Sequence, residues 1–85
     1  MDALTMEKKL YQLMDEHHIM GELVDYSEQK KMIAVEVTWG DWKHEHARLD
    51  WLVGKSFPNL RSIHTTTTEE DGSDCYSAIH YYYFN

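Results

Sequence analysis

The chain has 85 residues, enough for one domain, and its fifteen acids against eight Lys and Arg give a formal net charge of −7. A surface that binds DNA or RNA through phosphates needs clustered cations. No basic run here exceeds the pairs Lys8-Lys9 and Lys30-Lys31, which argues against direct nucleic-acid binding.

A hydrophobic content of 42%, with three Trp, six Tyr and two Phe, departs from the composition of a disordered chain and supplies large rings for a small core. The single cysteine, Cys75, permits no intramolecular disulfide and fits a reducing compartment. The opening residues lack the basic start and apolar run of a signal peptide, and no apolar stretch approaches the roughly 20 residues of a bilayer span. These features predict a soluble, cytoplasmic, single α+β domain over residues 1–85, with no membrane partner.

In chain order, Ala3, Met6, Leu10, Leu13 and Met14 recur at helical spacing and predict a helix over 3–17, capped by Asp2 or Thr5 and ending near His17-His18. Residues 21–26 and 31–38 then read as two strands around the polar turn Ser27-Glu28-Gln29-Lys30. Ile33, Val35 and Val37 alternate onto one face, and a four-residue loop sets Val24 opposite Ile33. A second helix is expected over 41–53, with Asp41 as N-cap, a stripe of Trp42, His46, Leu49, Leu52 and Val53, and Gly54 just past its end. Phe57-Pro58-Asn59 turns the chain into a second strand pair, 60–68 and 75–84, joined through an Asp71-Gly72 turn.

The resulting order is helix, hairpin, helix, hairpin, and the simplest packing is one four-stranded, mainly antiparallel sheet with both helices on one face. The last strand is apolar or aromatic on both faces from Ile79 to Phe84. Either it is central in the sheet, or Tyr81, Tyr82 or Tyr83 on the open face meets a partner such as a second copy of the chain.

Two segments stand out chemically. Trp39 to His46, with Asp50 beyond, carries His44-x-His46. On a helix those two rings point about 200° apart, whereas His46 and Asp50 share a face. Zinc usually needs three or four ligands, so a metal centre built on His44, His46 and Asp50 requires His64, His80 or a hairpin carboxylate to complete the set. The competing reading packs His46 into the helix stripe and needs no metal or other cofactor. The second segment is acidic: Glu69, Glu70, Asp71 and Asp74 fall within six residues, and residues 69–85 contain no Lys or Arg.

One Asp-Gly suffices to turn a hairpin, so the extra carboxylates suggest contact with a basic protein surface. No nucleophile-and-base arrangement, phosphate-cradling glycine loop or calcium loop emerges. An acidic flank also disfavours Cys75 as a thiolate. The preferred expectation is a small acidic binding module, inhibitor- or antitoxin-like, which presents the acidic tip together with Trp42 and His44. The alternatives are the metal-dependent reading and a homodimer closed through the Tyr-rich last strand.

Overall fold

A computed structural model describes residues 2–39, 45–69 and 76–85 of the chain. It is α+β, with elements in the order α1 (Ala3–Glu16), β1 (Gly21–Ser27), β2 (Met32–Trp39), α2 (Glu45–Ser56), β3 (Leu60–Glu69) and β4 (Tyr76–Phe84). The strands form one sheet in spatial order β1-β2-β4-β3, with every neighbouring pair antiparallel.

α1 begins where the Asp2 carboxylate accepts the Thr5 backbone N–H at 2.8 Å, which satisfies one of the amides that a helix start leaves open. Its stripe of Ala3, Met6, Leu10, Leu13 and Met14 is buried. At the other end the Ile19 N–H reaches the Met14 carbonyl at 2.8 Å and the His18 N–H reaches Asp15 at 3.2 Å, which is the hydrogen-bond pattern of a Schellman stop. That stop needs a left-handed residue, and His18 supplies it at φ 56°. Ile19 is then delivered into the core.

β1 and β2 pair through a turn in which the Lys31 N–H bonds the Glu28 carbonyl at 3.3 Å and Lys31 adopts φ 52°. The register departs from the simple hairpin expectation. Tyr26, not Val24, lies opposite Ile33, because Ser27 and Met32 close the hairpin around a turn at 28–31, and the ladder then shifts again between Leu23 and Asp25. One extra residue in a strand leaves it unpaired and bends the edge. That residue is Val24, which is exposed.

β4 lies between β2 and β3, so its two-sided apolar character belongs to an interior strand. Ala78, His80, Tyr82 and Phe84 alternate onto one face and are buried, while Ser77, Ile79, Tyr81 and Tyr83 alternate onto the other and are half-buried. Tyr82 is therefore removed from the expected open-face set, and only Tyr81 and Tyr83 belong to it. The buried face joins Ile33, Val35 and Val37 of β2, Met6, Leu10, Leu13 and Met14 of α1, and Leu49, Leu52 and Val53 of α2 in one core. Each such side chain contributes roughly 1.5–3 kcal/mol of hydrophobic stabilisation.

α2 runs further than the glycine suggested. Gly54 lies inside the helix, which continues to Ser56, and the Phe57 N–H still bonds the Val53 carbonyl at 3.0 Å. Asp41, the expected cap, lies outside the described residues.

Candidate functional site

The described residues bring four polar side chains from three elements together beneath α2. Asp50 is on α2, Thr65 on β3, and His80 and Tyr82 on β4. Thr65 and His80 are register partners, and Tyr82 follows His80 by two, so all three face the helix layer. Asp50 Oδ1 accepts from the Tyr82 hydroxyl at 2.8 Å and meets His80 Nδ1 at 2.8 Å, and its Oδ2 accepts from Thr65 Oγ1 at 3.0 Å. A carboxylate can only accept, so His80 Nδ1 carries the proton in this contact. Thr65 Oγ1 also lies 3.3 Å from Nδ1. The His80 and Tyr82 rings stack at 5.9 Å and 12°.

The electrostatics follow from this geometry. Burial alone would raise the Asp50 pKa, but the hydrogen bond and charge of His80, with the bonds from Tyr82 and Thr65, outweigh it and hold the group below the ordinary 3.8. Burial, followed by the charge and hydrogen bond of Asp50, pushes the Tyr82 phenol far above its ordinary range, so it stays a neutral donor.

An Asp–His pair at this distance is the arrangement that orients an imidazole for proton transfer. The working atom would then be Nε2, and that atom is buried within a ring of 0% exposure. Both Asp50 oxygens are already engaged, and its side chain is 26% exposed. The cluster thus acts as a polar tie between α2 and the β3–β4 ladder. A half-buried, hydrogen-bonded carboxylate of this kind costs some desolvation but fixes the helix at one position on the sheet.

Of the alternative metal set, Asp50 and His80 meet directly. His46 lies one turn before Asp50 on α2, with its side chain outside the described part, and His44 lies outside the described residues. Among the described residues no group of three His, Cys, Asp or Glu is placed to hold an ion. Of the expected partner-binding residues, Glu69 is the last residue of β3, whereas Trp42, Glu70, Asp71 and Asp74 lie outside the described residues.

Sequence reading had paired neither Thr65 nor Tyr82 with Asp50. The signal was the period-2 alternation of β4, which puts a lone His and a hydroxyl-bearing Tyr on an otherwise apolar face. No protein-family model, curated protein or solved structure matches the chain. No described helix is long and apolar enough to cross a membrane.

Proposed function

We propose that the chain is a small acidic protein-binding module that engages a basic surface with the segment running from Glu69 to Asp74, assisted by Trp42 and His44. The observation that supports this reading is one of register. Tyr76 lies across from Trp39 on one side and from Glu69 on the other. The chain segments after Trp39 and after Glu69, which carry the two sets of candidate residues, therefore leave the sheet at the same end. Four carboxylates and an aromatic residue in the two sequence segments that follow these adjacent strand ends suit a steered encounter with a basic partner.

The test uses Glu70→Gln, Asp71→Asn and Asp74→Asn together, which removes three charges and keeps side-chain size. Wild type should retain a basic protein from native lysate that the variant loses. With that partner purified, the association rate should fall several-fold at low salt and converge with wild type at high salt. Equal capture, with an unchanged rate and salt slope, would reduce the acidic run to a solubilising turn.

A further inference from the structure

Two backbone irregularities meet at the end of the sheet where β4 finishes. In the turn between β1 and β2, Lys31 takes the left-handed conformation at φ 52°, a region where glycine or asparagine is the usual choice. On the other side of β4, the ladder shifts between Leu60 and Ser62, which leaves Arg61 as the extra residue of a bulge. Phe84 lies between the two: its N–H bonds the Lys31 carbonyl at 2.9 Å, and its register partner on β3 is Leu60. Bulges re-aim side chains, and this one sets the Arg61 guanidinium over the Tyr83 ring, 5.7 Å from its centre.

Lys31, Arg61 and Tyr83 line an open cleft of about 590 Å³ together with Gln29 and Lys30. Three of the chain's eight Lys and Arg thus converge on one cleft of a protein whose net charge is −7. Among the described residues no acidic side chain lines it. Glu28, the acid of the turn, is drawn to the start of α1, where its Oε1 accepts the Ala3 N–H at 3.0 Å. All three cations are exposed, and among the described residues none is ion-paired. Like charges gathered without a counter-charge are locally unfavourable, and a bound anion relieves them.

We infer that this cleft binds a small organic phosphate, with the phosphoryl group held by Lys30, Lys31 and Arg61 and the organic part resting on Tyr83. A phosphoryl group carries close to two charges at neutral pH and three acceptor oxygens. It suits a guanidinium fork and two ammonium groups better than the single charge of a carboxylate does. Gln29 adds a neutral amide donor, and the cleft has the volume of a small-molecule site. A nucleic-acid strand fits less well, because Glu22, Asp25 and Glu36 share the Tyr83 face of the sheet and would meet a polyanion leaving the cleft. In the sequence only the pair Lys30-Lys31 is visible, and the strand order adds Arg61 to it. The cleft lies at the opposite end of the sheet from Trp39 and Glu69, so it is independent of the acidic-segment reading.

Phenyl phosphate is the test probe, with inorganic phosphate, benzoate and a short oligothymidylate for comparison, each titrated into the intact chain and followed by amide NMR shifts. Phenyl phosphate should shift the amides of residues 29–31, 61 and 83–85 saturably, and bind several-fold more tightly than inorganic phosphate or benzoate. Arg61→Gln and Lys31→Gln should each weaken it roughly tenfold, the loss of one charge-assisted contact. Lys8→Gln, which removes a cation on α1, should leave it nearly unchanged. Tyr83→Leu should erase the advantage of phenyl phosphate over inorganic phosphate. Far-ultraviolet spectra and melts check each fold, and Lys30→Gln, in an exposed turn, carries the test if Arg61→Gln disturbs the bulge. No saturable shift at millimolar phenyl phosphate would overturn the inference. So would an affinity indifferent to Arg61→Gln and Lys30→Gln, or equally reduced by Lys8→Gln. Benzoate binding as tightly as phenyl phosphate would contradict the phosphate assignment, and tighter binding of oligothymidylate would give the site to single-stranded nucleic acid instead.

Discussion

Along β1 the free edge of the sheet is seven residues long, broken by the bulge at Val24 and lined by exposed Glu22 and Asp25. Along β3 it is ten residues long and uncharged from Ser62 to Thr68, His64 apart. The two edges are also tied to the helix layer differently. β1 meets α1 through close apolar packing at Gly21 and through the Tyr11 hydroxyl, which accepts the Leu23 N–H at 2.8 Å. β3 meets α2 through the Asp50–Thr65 bond, part of the buried polar cluster. Each edge strand carries one bulge, at Val24 in β1 and at Arg61 in β3. The β1 flank is held mainly by apolar packing and the β3 flank by a polar tie.

The sharpest way to separate the two flanks is to cut the β3 tie. Asp50→Ala leaves the Tyr82 hydroxyl and His80 Nδ1 without their carboxylate, and should cost about 2–4 kcal/mol in urea unfolding. Amides of β3 should lose hydrogen-exchange protection before those of β1. If β1 loosens equally, the tie serves the whole fold and the contrast between the flanks fails.

Gly21→Ala probes the other flank. A Cβ there would sit 2.8 Å from Met14 Sδ and 3.0 Å from Val35 Cγ1, both on buried residues. Overpacking of this kind costs about 1–3 kcal/mol. Protection should fall first in β1.

Acid gives a smaller effect with a defined sign. The Asp50 pKa is lowered in the folded chain, so its contribution is present above the unfolded value near 3.8 and is lost as pH falls through the lower folded value. Urea midpoints of wild type should therefore drop below pH 4 more steeply than those of Asp50→Asn. Parallel pH profiles would mean that the carboxylate gains nothing from its partners.

Much of the secondary structure was legible because it follows from local chemistry. The apolar stripe and Asp2 cap delimit α1, the alternation of Ile33, Val35 and Val37 marks β2, and the Thr- and Tyr-rich runs mark β3 and β4. Tertiary features escaped for physical reasons. A bulge such as that at Val24 changes register without changing composition. Gly54 carries the same residue type whether it ends a helix or lies within one, and here the Phe57 N–H to Val53 bond decides. The Asp50 cluster joins residues fifteen and more apart in the chain, so only the strand order β2-β4-β3 brings Thr65 and His80 under α2. The sequence offered Asp50 and His80 as members of an alternative metal set because carboxylate and imidazole suit a metal as well as each other. Here they meet each other, with Tyr82 and Thr65 engaging the same carboxylate.

The most direct test of the contrast between the flanks is amide hydrogen exchange followed by NMR on Asp50→Ala and Gly21→Ala side by side. Asp50→Ala should lose protection across residues 62–68 before 21–27, and Gly21→Ala in the reverse order. The same order of loss in both variants would contradict separate ties for the two flanks.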